Sequence, residues 1–263
     1  MATPLHSSLK ITQPEPVALF VSDIHLSPTQ PLTTAAFLDF LHQHAPKTPM
    51  LFILGDLFEY WIGDDDIGDP YHRHIVETLQ KLKNSGTNIY FMAGNRDFLI
   101  SDEFARVTGA EILQEPYLLQ AAGHKIVLCH GDAECTDDTD YMAFRQQVRH
   151  AQWQRNFLAL PLEQRKSMVQ GMRASSQAEQ QKKSMQIMDV NQDAIARLVQ
   201  SAGADLMIHG HTHRPAEHAG DSYRRLVLPD WDYDSANPRG GWLELYDDGK
   251  LISCPLDQAY NPA

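Results

Sequence analysis

The chain has 263 residues, of which 43% are hydrophobic and 21% charged, and its formal net charge is −12. This composition excludes collagenous, coiled-coil and wholly disordered chains. The acidic balance also argues against a plain nucleic-acid binder, because phosphate binding requires a basic surface. Three cysteines make no disulfide framework, which favours a reducing cytosolic compartment. The sequence has no apolar run near the roughly 20 residues of a transmembrane span, and residues 1–15 are expected to be a flexible extension, not a signal peptide.

Short apolar runs alternate with helical patterns in the first half of the chain. Continuous runs of four or five apolar residues are typical of strands buried on both faces of a sheet, and they occur at 17–21, 50–54, 88–92, 125–129 and 205–208. Helices are expected between them, with Thr33 or Thr34 and Ser101 as N-caps and Gly86 and Gly203 as ends. The alternation predicts an α/β fold. Further runs predict added antiparallel strands at 225–228, 242–246 and 251–254.

Residues 141–188 break this alternation. The segment has few β-branched residues and is expected to form two or more amphipathic helices, as an insertion that caps a site. Its eight basic and two acidic residues give it a charge of +6, which leaves −18 for the rest of the chain. This charge is either a solvated helical face or a basic cap over an anionic substrate. Apolar residues are available to line a channel there, namely Phe144, Val148, Trp153, Phe157, Leu158 and Met172.

A residue of a kind that binds metals follows each of the five apolar runs. The motifs are, in chain order, Asp23-Ile-His25, Gly55-Asp56, Gly94-Asn95-Arg96-Asp97, His130-Gly-Asp132 and Gly210-His211-Thr-His213. Ligand sites collect at the carboxyl ends of strands in open α/β sheets. Each motif is weak alone, but five in one chain predict a shared metal site. Carboxylate, imidazole and amide donors favour Mn, Fe, Zn or Co over Ca or Mg.

These motifs resemble the calcineurin-like metallophosphoesterase superfamily pattern, D-x-H, G-D, G-N-H-[DE], a later His and G-H-x-H, over roughly residues 17–230. The resemblance implies a four-layer αββα fold, with two β-sheets packed between helices and residues 16–263 as the catalytic domain. It also implies two divalent metal ions. One ion would be bound by Asp23, His25, Asp56 and His213, and the other by Asp56, Asn95, His130 and His211.

Longer motifs narrow the resemblance to one family. Residues 55–66, 94–98, 130–138, 187–192 and 209–215 look like the UDP-2,3-diacylglucosamine diphosphatases. Arg96 stands where most superfamily members have a His that is often assigned as an acid–base group. The resemblance places catalytic roles on Asn95, Arg96 and His211. It places substrate contacts on Asn95, Arg96, Asp138, Ser176, Gln180 (usually Asn), Lys183 and His211, and Arg173 is expected to face phosphate as well.

The resemblance implies hydrolysis of UDP-2,3-diacylglucosamine to UMP and 2,3-diacylglucosamine 1-phosphate in bacterial lipid A synthesis, usually with Mn²⁺. A water activated between the two metal ions would attack the α phosphorus. The planar guanidinium of Arg96 is expected to pair with phosphate oxygens as negative charge builds up. Because the substrate is a lipid, we expect a cytoplasmic protein that binds peripherally to anionic headgroups of the inner membrane.

Two other functions stay open on the sequence alone. One is a metallophosphoesterase that acts on another nucleotide or phosphoester, against which the apolar insertion and Arg96 count. The other is a non-catalytic scaffold, which would have lost metal ligands that this chain keeps. Asp97 and Asp132 are expected either to hold ligand histidine rings or to cap turns. His209 is interpreted as a packing residue, and Asp64–Asp66 as a solvated acidic loop.

Overall fold

Two β-sheets form the centre of the computed structural model, which describes residues 13–180, 189–220 and 222–256, with the backbone alone for residues 173–180. The first sheet contains β1 (Pro16–Val21), β2 (Met50–Leu54), β3 (Asn88–Met92), β4 (Glu111–Leu113), β10 (Gly241–Tyr246) and β11 (Leu251–Pro255), in the order β11-β10-β1-β2-β3-β4. The second contains β5 (Tyr117–Ala121), β6 (His124–Leu128), β7 (Leu206–His209), β8 (Ala216–Ala219) and β9 (Arg224–Val227), in the order β5-β6-β7-β9-β8.

Seven α-helices are described. They are α1 (Pro31–Gln43), α2 (Pro70–Asn84), α3 (Asp102–Thr108), α4 (Thr139–Arg149), α5 (Ala151–Leu158), α6 (Leu162–Gln180) and α7 (Gln192–Ala202). Short 3₁₀ turns lie at Ala45–Lys47, Asp64–Asp66 and Asp132–Glu134. None of the helices in the described ranges combines the length and the hydropathy that a membrane span requires.

The burial pattern of the strands produces four layers. Phe20 and Phe52 point from the first sheet into a core shared with Ile126 and Ile208 of the second sheet. Alternate residues of the same strands, such as Leu19, point the other way and pack against α1, α2 and α3. Helix α7 covers the outer face of the second sheet. The order helix, sheet, sheet, helix confirms the predicted αββα fold, and burial on both faces explains why the strands are continuous apolar runs.

The parallel strands, the C-terminal hairpin and the helix ends at Gly86 and Gly203 agree with the sequence, but the predicted N-caps do not. Strands β10 and β11 pair antiparallel as expected. Helix α1 begins at Pro31, and the Thr33 hydroxyl donates to Asp234 in place of capping. Ser101 precedes α3 without a capping hydrogen bond, because its hydroxyl donates to Asp64. In both cases a distant carboxylate outcompetes the local interaction.

The helices α4–α6, called the cap below, dock on the body through their cations. Arg145 pairs with Asp132 and Glu115, and Arg149 donates to Gly94 O at 2.9 Å. The cap cations Arg165 and Lys166 pair with Asp65 and Asp66 respectively. Four of the five basic cap residues with described side chains therefore contact the body. For the described side chains, then, the positive charge serves mainly to attach the cap to the body, and the cations from Arg173 onward lie outside them.

The interpretation of Asp64–Asp66 as a solvated loop is wrong for Asp64 and Asp66, whereas Asp65 is exposed. Asp64 accepts hydrogen bonds from Ser101 and from the backbone N–H of Phe104 at the start of α3. Asp66 is only 3% exposed. The turn lies between α3 and the base of α6, and its carboxylates accept hydrogen bonds at the start of α3 and pair with Arg165 and Lys166 of α6.

Candidate metal centre

The carboxyl ends of β1, β2, β3, β6 and β7 bring the predicted ligands together. Asp23 Oδ1 lies 3.3 Å from His213 Nε2 and 3.9 Å from His25 Nε2, and the two ring nitrogens are 3.2 Å apart. Three possible donors thus converge on one point. This is the set that the sequence predicted for the first ion, completed by Asp56.

Asn95, His130 and His211 form the second convergence. Asn95 Oδ1 lies 3.0 Å from His130 Nε2 and 2.9 Å from His211 Nδ1. Asp56 Oδ2 lies between the two sets, 3.7 Å from His130 Nε2 and 3.9 Å from His25 Nε2. This placement is what a carboxylate bridging two ions requires.

The backbone is strained where it presents these side chains. Six non-glycine residues among those described have a positive φ, and five are predicted ligands, namely Asp23, His25, Asp56, His211 and His213, with φ from 52° to 67°. Left-handed conformations are costly for side chains of this size. Surrounding hydrogen bonds hold them, since the His211 N–H donates to Asp23 Oδ2 at 2.8 Å and the Arg96 N–H donates to Asp56 Oδ1 at 2.8 Å.

The ligand rings are oriented by acceptors that the sequence analysis missed. His130 Nδ1 donates to Leu54 O at 2.9 Å, which leaves Nε2 with a lone pair toward the site. Asp230 Oδ2 lies 3.3 Å from His213 Nδ1. Glu59 Oε2 lies 3.1 Å from His25 Nδ1 as a charged neighbour that does not meet hydrogen-bond geometry. Asp230 follows the strand-like run at 225–228, so the strand-end rule applied to a sixth run would have found it.

Asp97 and Asp132 do not hold histidine rings. The Asp97 carboxylate accepts the backbone N–H groups of Gly94 and Leu57, both at 2.8 Å, and so braces the turn that carries Asp56. Asp132 accepts from Arg145 and Tyr141. The turn-bracing interpretation is therefore right for Asp97, whereas Asp132 receives side chains of the cap.

His209 is confirmed as a packing residue. It is fully buried, its Nδ1 donates to Gly210 O at 2.9 Å, and Arg225 Nη1 donates to its Nε2 at 3.0 Å. Burial and then Arg225 lower the pKa of His209 to about 3. Both ring nitrogens are occupied, so this His has no lone pair left for an ion.

The electrostatics of the site favour a cation. Burial opposes ionisation of His130, but Asp56 and Asp23 outweigh it and raise its pKa to about 9. Burial likewise opposes ionisation of His213, and Asp23 and Asp230 raise its pKa to about 10. For His211, burial followed by His130 outweighs the nearby carboxylates and lowers its pKa to about 4. The carboxylates thus create a strongly negative potential at the two ligand sets.

One buried carboxylate oxygen, Asp23 Oδ1, indicates whether the site suits a metal ion. Asp23 is 0% exposed, and among the described residues its Oδ1 accepts no hydrogen bond. That oxygen faces the two ring nitrogens of the first set. A buried carboxylate oxygen that makes no well-formed hydrogen bond and converges with two imidazole nitrogens fits a divalent ion with nitrogen and oxygen ligands.

A cavity of about 800 Å³ opens from the two ligand sets toward the cap. His25, Asp56, Asn95, His211 and His213 line its polar end. Of the six apolar residues proposed for a channel, five line the cavity, namely Phe144, Val148, Trp153, Phe157 and Met172. Leu158 is not among the lining residues and is 39% exposed.

Four predicted substrate contacts can be placed, and Asn95 and His211 of the second ligand set are two of them. Arg96 lines the cavity, and its buried Nε has no hydrogen-bond partner among the described residues. Asp138 also lines the cavity, and its carboxylate accepts the Tyr141 N–H at 3.1 Å as the N-cap of α4. The remaining predicted contacts lie outside the described side chains, namely Arg173, Ser176, Gln180 and Lys183.

A family model for calcineurin-like phosphoesterases matches residues 17–215, a range that holds all the predicted ligands. The chain belongs to the calcineurin-like phosphoesterase family. Membership in this family accounts for the two packed β-sheets and for the predicted ligands at five strand ends. It makes the chain a metal-dependent phosphoesterase.

Curated relatives of this phosphoesterase are similar over nearly their whole length. A UDP-2,3-diacylglucosamine hydrolase of Ralstonia nicotianae is 43% identical, and the match covers 97% of each chain. A protein of the same name from Cellvibrio japonicus is 48% identical over 82% of this chain and 91% of its own. Among solved structures, the Vacuolar Protein Sorting 29 structure from Cryptosporidium parvum is a weaker likeness, 14% identical over 92% of this chain and 97% of its own, with a TM-score of 0.46.

Proposed function

We propose that this chain hydrolyses the diphosphate of UDP-2,3-diacylglucosamine at the α phosphorus, giving UMP and 2,3-diacylglucosamine 1-phosphate in lipid A synthesis. The observation that carries the proposal is that one cavity joins the predicted metal ligands to an apolar wall supplied by the cap. The names of the curated relatives support the same substrate.

The polar end of the cavity suits a diphosphate. Asp23, His25, Asp56 and His213 would hold one ion, and Asp56 with Asn95, His130 and His211 the other, with Mn²⁺ proposed as the ion. Two bound divalent cations would supply Lewis-acid activation of water and neutralise phosphate charge. Only two carboxylates stand in the ligand set, so the loaded site would keep net positive charge for an anionic substrate.

Arg96 is the residue of this chain that would bind the reacting phosphate. It lines the cavity next to the ligand sets, and its Nε lacks a partner within the described residues. A guanidinium fork matches phosphate oxygens in a bidentate way and is always charged. Its contribution should be greatest in the transition state, when the phosphorus oxygens carry the most charge. Asn95 and His211, which belong to the second ligand set, would also contact the substrate.

The apolar wall supports the lipid part of the substrate. Trp153 and Phe157 stack with ring centroids 5.0 Å apart, and Trp153 also packs on Phe98 of the body. These rings form a rigid surface on which acyl chains would be removed from water. A small soluble phosphoester would gain nothing from it, which is why another nucleotide substrate is a weaker candidate.

The place of action follows from the substrate. We propose peripheral binding to the cytoplasmic face of the bacterial inner membrane, with no role for nucleic acid. Large apolar side chains of the cap are exposed and would meet the lipid, namely Phe144, Leu158, Met168 and Met172. Most cap cations with described side chains are paired with the body, so apolar contact should matter more than attraction to headgroups. Sedimentation with anionic and with zwitterionic vesicles separates these contributions.

The decisive experiment is a substrate comparison. Purified protein loaded with Mn²⁺ is incubated with UDP-2,3-diacylglucosamine, and UMP release is measured, with UDP-N-acetylglucosamine as the control. The expected result is UMP from the lipid substrate and little from the control. Absence of UMP from the lipid substrate, with metal bound, would overturn the proposed function.

A further inference from the structure

Arg145 connects the cap to two carboxylates beneath the second ligand set. It lies on α4, and its Nη2 donates to Glu115 Oε2 at 3.0 Å while its Nε donates to Asp132 Oδ2 at 2.8 Å. The Asp132 side chain is 0% exposed and that of Glu115 is 13% exposed. The Arg145 guanidinium therefore contacts both carboxylates at once, a geometry that Lys cannot reproduce, while Arg149 Nη2 lies 3.9 Å from Asp132 Oδ2.

The same two carboxylates hold the turn that carries His130. Glu115 Oε1 accepts the His130 N–H at 2.7 Å. Asp132 lies two residues further along and begins the 3₁₀ turn Asp132–Glu134. The hydroxyl of Tyr141, also on α4, donates to Asp132 Oδ2 at 2.6 Å. Helix α4 thus contacts the backbone around His130 through Glu115 on one side and Asp132 on the other.

The position of the His130 backbone decides where its ring points. The ring is fully buried, with Nδ1 donating to Leu54 O and Nε2 3.0 Å from Asn95 Oδ1. A shift of the backbone would move Nε2 away from Asn95 and Asp56 together. Outer contacts of this type commonly set the affinity of a ligand set for its ion.

We propose that Arg145 is a positioning residue for the second ligand set and couples docking of the cap to the geometry of His130. Asp23, His25 and His213, which belong to the first set alone, have no described contact with Arg145, so its influence is expected to fall on the second set. The inference rests on the two metal ions of the proposed function, and it does not depend on the identity of the substrate.

The test is metal binding by the full chain. Metal-free wild type, Arg145→Ala and Arg145→Lys are titrated with Mn²⁺ by calorimetry, and thermal unfolding of each protein is recorded without metal. Arg155→Ala is the matched control, because Arg155 is an exposed cap cation whose described partner is Gln152 in the same helix. We expect Arg145→Ala to weaken one of two binding events by about 10- to 100-fold and to leave the other unchanged. Arg145→Lys should fall between, and Arg155→Ala should match wild type.

Destabilisation alone would lower the unfolding temperature without changing the metal affinity of the folded protein. A folded Arg145→Ala variant that binds both ions like wild type overturns the inference. If Arg145→Ala does not fold, Glu115→Gln takes its place, since it removes the charge facing Arg145 and keeps an oxygen for the His130 N–H. Wild-type affinity in that variant would likewise overturn the inference. Wild-type protein that binds no Mn²⁺ would instead count against the proposed function itself.

Discussion

Arg165, near the start of α6, forms a bidentate ion pair with Asp65 of the 3₁₀ turn that follows β2. Only 2% of the Arg165 side chain is exposed, against 60% of Asp65. The guanidinium also donates to two backbone carbonyls, Leu160 O at 3.1 Å and Ile62 O. One buried cation of α6 therefore attaches the cap to the body, in addition to the attachment that Arg145 makes from α4.

Arg165→Ala should destabilise the attachment of the cap. The substitution leaves the buried Ile62 O without its donor, and one buried acceptor without a partner costs about 1–3 kcal/mol. We expect a loss of about 1–3 kcal/mol in urea unfolding, with faster proteolysis within α4–α6. Lys166→Ala is the matched control, because Lys166 is 30% exposed and Asp66 keeps His72 as a partner. An equal loss in both variants would contradict a special role for Arg165.

The backbone at Gly210 passes so close to the Asp23 side chain that no Cβ fits between them. A Cβ at position 210 would lie 2.1 Å from Asp23 Oδ2 and 2.1 Å from Ser22 Oγ, both in buried residues. Gly210→Ala should therefore cost about 1–3 kcal/mol as an overpacked site and should lower metal content, because Asp23 must move. Gly68→Ala is the control, since a Cβ there meets nothing within 4 Å. Calorimetric metal titration and urea unfolding of both variants give the answer; retention of metal by Gly210→Ala would contradict the close approach.

The ligands could be predicted from the sequence because they obey a local rule. Asp23, Asp56 and His130 each directly follow a strand that is buried on both faces, and such strands are visible as apolar runs. Topology then brings the ends together without further information. The αββα order followed from the resemblance of these motifs, not from the alternation of elements alone.

The supporting residues could not be predicted in the same way. Glu115 and Arg145 are 30 positions apart, and nothing local indicates that one guanidinium meets both Glu115 and Asp132. The basic composition of the cap was visible, but the direction in which each cation points depends on packing of α4 and α6 against the body. The capping role expected of Ser101 failed for the same reason, since Asp64 takes its hydroxyl.

The pair of His124 and Asp205 predicts a pH-dependent part of the stability. His124 Nδ1 lies 2.7 Å from Asp205 Oδ2, and this hydrogen bond raises the pKa of His124 above its ordinary 6.5. The folded chain then binds the proton more tightly than the unfolded chain, so the stabilisation is complete below pH 6.5 and is lost as pH rises through the folded pKa. Because Asp205 is 53% exposed, the effect should stay below about 1 kcal/mol.

The measurement for this pair is a difference between two proteins. Urea unfolding of wild type and His124→Gln is compared at about pH 6 and about pH 8.5, so that titration of other groups cancels. Wild type should exceed the variant by more at the lower pH. A difference that does not change with pH would show that the proton on His124 contributes nothing.

Arg96→Ala separates substrate binding from metal binding. The Arg96 backbone N–H, which donates to Asp56 Oδ1 at 2.8 Å, remains in the variant, so both ligand sets should keep their ions. Loss of the guanidinium removes a charged donor from the reacting phosphate, for which turnover typically falls by about 10²–10³-fold. Arg96→Lys should recover part of the rate, because it keeps the charge without the bidentate fork. UMP release and metal content are measured on the same samples. Unchanged turnover would remove Arg96 from the reaction, and loss of metal together with turnover would assign it a structural role instead.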